Sequence, residues 1–347
     1  MSRYGGPTLK QGEAADITML LEGTYPFVSG GVSSWVHQII RGLPEIKFAL
    51  CFLGGAPEQY EKIRYELPKN VVHLEEHFLA EVPRFQRLLG VPGDKPFYEE
   101  SSRLHDDLVA RAARLPETLD KIVGKLLVDP ARHENDFLFS EAAWQQICER
   151  YERSSHERSF LEYFWTVRSM HAPLFKMARV AAALPPSRAF HVISTGFAGF
   201  LGMLARTKRK RPLVLTEHGI YAKERRIELL QANWIKDDEG PEDLGGIGFF
   251  RGMWIRFFEA LARMSYAAAN PIIALYNGNR DRQIRDGAPT ERTRVVPNGI
   301  DLERFAALRT KRPETPPKVL GLIGRVVPIK DIKTFIRALR VAASQMP

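Results

Sequence analysis

The stretch "DITMLLEGTYPFVSGGVSSWVHQII", Asp16 to Ile40, decides the reading of this chain. Six residues suited to a buried strand run into a turn containing Ser29, Gly30 and Gly31, and a helix-forming pattern follows at once. Two readings of the turn stand at this point. Small residues serve any strand-to-helix turn, because glycine tolerates unusual backbone angles and serine caps helices. The same residues also suit an anion site, since adjacent glycines let a ligand approach the backbone and the N–H groups of a helix start attract negative charge. The spacing is neither G-x-G-x-x-G nor a Walker loop, so an anion here is held some other way.

Outward from this stretch, short apolar runs rich in β-branched residues alternate with helical patterns. Strands are predicted at Asp16–Leu21, Lys47–Leu53, Val71–Leu74, Phe190–Ser194, Leu213–Thr216, Ile272–Leu275 and Arg294–Val296. Most are apolar without alternation, as a sheet covered on both faces requires. The fold class is therefore α/β, with a doubly wound sheet. Between about residues 78 and 180 the pattern becomes long and helical, which predicts an all-helical insertion on the edge of the α/β domain rather than another layer of it, serving as a lid, an acceptor surface or a docking face. The stripe Trp254, Phe257, Phe258 and Leu261 reads as core.

The chain has 347 residues, is 44% hydrophobic and carries a formal charge of +9. The charge suggests an anionic partner without saying which. The densest basic run, Lys208 to Arg211, reads as a solvated loop; no aromatic residues interleave with it, and nucleic acid is not expected. No apolar run approaches the roughly 20 residues that span a bilayer, and the first residues lack the apolar centre of a signal peptide. The expected location is the cytoplasm, extending to the inner face of the cytoplasmic membrane. The two cysteines, Cys51 and Cys148, lack metal-site spacing and read as ordinary thiols.

After "VPNGID", Val296 to Asp301, comes the Pro-rich stretch "RTKRPETPP", residues 309–317, which reads as a linker. It separates a first domain, 1–308, from a fresh start at 318–347: one strand, one loop with Arg325 and Lys330, and one helix. A single βα unit cannot bury its own apolar face, so the expectation is a second domain represented only by its beginning.

Together, the glycine turn, "TEHG" (Thr216–Gly219), "VPNGID" and "GRVVPIKD" (Gly324–Asp331) resemble the retaining glycosyltransferases of family 4, with two Rossmann-like domains in the GT-B arrangement. More narrowly, "HGIYAKERRIELL" and the helical insertion resemble the cytosolic members that serve bacterial Pel exopolysaccharide synthesis. The resemblance implies a UDP-sugar donor, UDP-glucose above all, a growing polysaccharide as acceptor, and an inner-membrane polysaccharide synthase complex as partner. It implies that His218 meets the donor sugar at the reacting centre and that Arg325 and Lys330 face the diphosphate. It implies too that Ser29, Gly30 and Gly31 line the donor phosphates and that Asn298 and Gly299, at the hinge, are among the donor-binding residues. Lys223, Glu224, Arg225 and Arg226 line the acceptor or nucleotide side, or form a solvated helix face.

A fork of donors on Arg and a mobile charge on Lys suit a leaving diphosphate, so neither a metal nor a cofactor is expected. Two departures stand out: Asp331 occupies a place where many members have glycine, and the family's E-x7-E segment has no counterpart in the chain. The rival expectation is a non-catalytic adaptor docked on a membrane synthase, or an inactive fragment.

Overall fold

The computed structural model describes residues 3–80, 90–110, 115–154, 158–236, 247–300, 302–311, 313–315, 319–324, 326 and 330–345. The chain divides into two compact units, Met1–Pro297 and Asn298–Pro347. The division falls inside "VPNGID", ahead of the Pro-rich stretch read as the linker.

The first unit is built on seven parallel strands in the order β3-β2-β1-β4-β5-β6-β7: β1 (Ala15–Glu22), β2 (Phe48–Gly54), β3 (Val71–Phe78), β4 (Ser187–Val192), β5 (Leu213–Glu217), β6 (Ile272–Ala274) and β7 (Thr293–Val295). All seven predicted strands are present. β2 is buried along its whole length, as its unbroken apolar sequence requires. In β1, Met19 and Leu21 enter one core cluster and Leu20 the other, so the strand feeds both faces. β3 runs four residues past its predicted end, because the polar run after Leu74 belongs to an edge strand with a partly exposed face.

The order reverses at β1. The chain moves outward through β2 to β3, then crosses back and continues from β4 toward β7. Helix α1 (Gly31–Gly42), after β1, packs Val36 and Ile40 on the cluster of Met19 and Leu21. Between β3 and β4 lie α2 (Lys95–Ala110), α3 (Leu115–Leu126), α4 (Pro130–Phe139), α5 (Glu141–Ser154) and α6 (Phe160–Ala183). Then α7 (Phe197–Arg209), after β4, packs Leu201 and Leu204 on the opposite cluster. The long helices share that cluster: Phe97, Leu119 and Phe137 join Leu201 and Phe258 in one continuous core. The helical block is thus not the expected appendage at the edge of the domain; it adds to the layer on one face of the sheet, because its apolar faces join the core around α7.

The unit is completed by α8 (Tyr221–Leu230), α9 (Phe249–Ala268) and α10 (Asn277–Arg285). The stripe on α9 is core as expected, with Phe257, Phe258 and Leu261 buried. The basic run Lys208–Arg211 is not simply solvated. It ends α7, where Lys208 donates to the Leu127 carbonyl and Arg209 to those of Ala182 and Leu184. Helix C-termini leave carbonyls unsatisfied, and long cations suit them.

The second unit contains α11 (Leu302–Arg309) and α12 (Ile332–Gln345). The strand predicted after Lys318 is absent from the described residues 319–324. A parallel strand needs a neighbour to take its backbone hydrogen bonds, and none is paired to it among them. Among the described residues, no helix is long and apolar enough to cross a membrane.

Candidate functional site

In open parallel sheets ligands settle outside the carboxyl ends of the strands, where the order reverses. Here that place lies between β1 and β4, and two helix starts open onto it. At α7 the vacancy is filled from within: Glu22, closing β1, accepts the Ala198 N–H at 2.9 Å and the Tyr221 hydroxyl at 2.5 Å. Arg225 donates to the same tyrosine oxygen at 3.1 Å and lies over the Tyr221 and Phe258 rings. Gly196 precedes α7 because a Cβ there would meet the Tyr221 ring at 2.4 Å.

The start of α1 is different. Its first bond runs from the Ser34 N–H to the Gly30 carbonyl at 2.9 Å, and no side chain caps it. The N–H groups of Gly31, Val32 and Ser33 precede that bond. Gly30 sits at φ 168°, extended backbone open to any residue, and a Cβ on Gly30 or Gly31 would meet nothing within 4 Å. Neither backbone strain nor packing accounts for the two glycines, and both are exposed. What they leave is an uncapped, positively polarised helix start with open approach. Ser29 is exposed beside it and forms no cap.

His218 stands at the same end of the sheet. Trp35, one turn into α1, meets its ring edge-on with centroids 4.6 Å apart, and also meets His191 at 6.0 Å. This shared indole brings the glycine turn and His218 to one locality, a contact that no spacing in the sequence announces. His218 is half-buried, its Nε2 has no hydrogen-bond partner among the described residues, and burial holds its imidazole below the usual pKa. It is a neutral ring with one enclosed nitrogen left unpaired among the described residues.

The residue before it, Glu217, is buried at 1% exposure and anchors the locality. It accepts from the Tyr266 hydroxyl at 2.7 Å, Gln283 Nε2 at 2.9 Å, Thr195 Oγ1 at 3.2 Å and the Tyr221 N–H at 3.4 Å. Burial outweighs those bonds and raises its carboxyl pKa. Asn279 Nδ2 also donates to the His218 carbonyl at 3.4 Å. Sequence reasoning missed Glu22, Glu217 and Trp35; a carboxylate closing each of two strands was the one signal available.

Of the basic patch, Arg225 turns inward as described, whereas Lys223 and Arg226 are exposed, Arg226 lying 3.9 Å from Glu259. The remaining site residues belong to the second unit. Asn298, Gly299 and Lys330 are exposed there, and Arg325 lies outside the described residues. Asp331 caps α12 as expected, its Oδ1 accepting the Thr334 N–H at 3.4 Å. Its φ of 45° lies in the left-handed region that glycine adopts freely, so a glycine at this place in other sequences has a backbone reason.

His191 supplies a pH dependence. It is hydrogen-bonded through Nε2 to Thr216 Oγ1 at 2.9 Å, and burial, reinforced by His218, pushes its imidazole down to about 4. An unfolded histidine titrates near ~6.5, so the unfolded chain takes up this proton first. The stability owed to neutral His191 is complete above that value and is lost as pH falls toward 4. The urea midpoint is expected to drop between about pH 7 and 5, and less steeply in His191→Gln. Equal slopes would remove His191 from the account.

The fold defines a Rossmann-like α/β protein whose strand order reverses between β1 and β4. Residues 15–291 match the family model described as Domain of unknown function (DUF3492), and the chain belongs to that family, which is associated with glycosyltransferase-like proteins. No curated protein is matched by the chain.

Proposed function

We propose that this protein is a metal-independent, retaining glycosyltransferase of family 4, of the PelF type, that transfers a hexose from a UDP-sugar, UDP-glucose by resemblance, to a growing exopolysaccharide. The observation that carries the reading is the start of α1 at the switch point, without a side-chain cap among the described residues, open at Gly30 and Gly31 and linked through Trp35 to the neutral ring of His218. The polarised N–H groups suit donor phosphates, and His218 suits a sugar hydroxyl.

In the proposed reaction the bond from the anomeric carbon to the diphosphate oxygen breaks, and a bond from that carbon to the acceptor oxygen forms on the same face. The departing phosphate oxygen takes the acceptor proton, so no carboxylate nucleophile is needed. By the resemblance, Arg325 and Lys330 offset the charge that grows on the diphosphate.

A second reading rests on the helical block, where Trp144, Leu161 and Trp165 are 49%, 62% and 56% exposed. Such a face suits docking on a membrane-bound polysaccharide synthase without catalysis. The assay that separates the readings follows transfer from UDP-glucose to an oligosaccharide acceptor, with and without a metal chelator. Chelator-insensitive release of UDP coupled to acceptor elongation is expected. Binding to the synthase with no release of UDP would support the adaptor.

A further inference from the structure

A second cluster lies on the opposite side of β2 from β1. Edge strand β3 carries His73, Glu75 and His77 at alternate positions, hence on one face, and Cys51 of β2 is the register partner of Glu75. The donor atoms of Cys51, Glu75 and His77 all lie within 4.8 Å of one another. His77 Nε2 is 3.6 Å from Glu75 Oε1, and both atoms are buried with no hydrogen-bond partner among the described residues. Polar atoms removed from water and left without partners cost free energy, and several of them converging on one point call for a common partner.

We infer that Cys51, Glu75 and His77 bind a divalent transition-metal ion, zinc by its chemistry. Thiolate, imidazole and carboxylate are the donors zinc takes, at about 2.0–2.3 Å, and tetrahedral geometry then sets donors about 3.3–3.8 Å apart. The His77–Glu75 separation of 3.6 Å already matches that edge.

The role of His73 follows from its tautomer. Its Nδ1 accepts the Leu9 N–H at 3.3 Å, so in the neutral ring the proton sits on Nε2, which points at Glu75 Oε2 from 3.6 Å. His73 therefore stands behind the carboxylate rather than ligating, its Nε2 beyond hydrogen-bond distance and without a partner among the described residues, in the place a supporting residue takes behind a metal ligand. Burial raises the Cys51 thiol, so ligation breaks its S–H bond, releases the proton to solvent and forms the metal–sulfur bond. Three protein ligands leave a fourth position for water. Local spacing cannot reveal the site, because its donors come from neighbouring strands.

The test titrates Zn2+ and, as a spectroscopic substitute, Co2+ into the metal-free full chain. Stoichiometric binding is expected, with a thiolate-to-cobalt charge-transfer band that is lost in Cys51→Ser. Zinc affinity should fall at least tenfold in His77→Gln and Glu75→Gln, and tenfold to a hundredfold in His73→Gln, roughly the range for a lost supporting residue. His77 and Glu75 are partly exposed on the edge strand, so these variants decide the matter even where Cys51→Ser fails to fold. Absence of the thiolate band in the folded wild type, or zinc affinity unchanged by His77→Gln, overturns the site.

Discussion

Glu217→Ala is expected to lower the unfolding free energy by about 3–5 kcal/mol. The carboxylate is the shared acceptor of Tyr266, Gln283 and Thr195, each of them buried, and of the Tyr221 N–H at the start of α8. Alanine removes the acceptor and leaves those donors in a space closed to water. A buried donor without a partner costs about 1–3 kcal/mol, and the losses do not simply add because the cluster relaxes together. Gln283 Oε1 already has no partner among the described residues, so turning the amide strands its other end. Urea unfolding followed by circular dichroism measures the change; a loss below about 1 kcal/mol would show that the network does not anchor the site.

Arg325→Ala and Lys330→Ala are each expected to slow sugar transfer by about 2–4 kcal/mol in barrier, roughly thirtyfold to a thousandfold, with little change in melting temperature. The charge on the leaving diphosphate grows as the glycosidic bond breaks, and a fixed cation stabilises the transition state more than the bound donor. Lys330 is exposed, so its removal costs no buried contact. Unchanged turnover in both variants would refute their assignment.

Much of the sheet was legible because burial on both faces leaves a local mark: the unbroken apolar runs of β1 and β2 announce themselves residue by residue. β3 was cut short because alternating His73, Glu75 and His77 look polar until the strand is known to lie at an edge. β4 begins three residues before its predicted start, at Ser187, whose hydroxyl bonds Thr18 of β1 at 2.5 Å. That pairing spans most of the first unit in sequence, and no local pattern encodes it.

The site divides along the same line. Gly30 and Gly31 stand out in the sequence as a small-residue turn before a helical pattern, and His218 stands out only through the resemblance carried by "TEHG". Trp35, Glu22 and Glu217 do not stand out, because their roles arise from contacts between elements far apart in the chain. The strand expected after Lys318 failed for a related reason: its apolar sequence favours pairing, but a strand forms only where a neighbour accepts its bonds.

The central claim is that the uncapped start of α1 holds the phosphates of a nucleotide sugar. Gly31→Ala is a suitable probe, since a Cβ there meets nothing within 4 Å among the described residues and the backbone is not strained. Alanine in a helix costs nothing relative to glycine and is better by roughly 0.5–1 kcal/mol, so the melting temperature should hold or rise. The added methyl group obstructs only a ligand. The measurement is a titration of the wild type and Gly31→Ala with UDP, following backbone amide resonances. The account predicts shifts concentrated at Gly30, Gly31, Val32 and His218 in the wild type, absent with uridine, and much weakened in the variant despite an undiminished melting temperature. Shifts that avoid these residues, or equal UDP affinity in the two proteins, would contradict it.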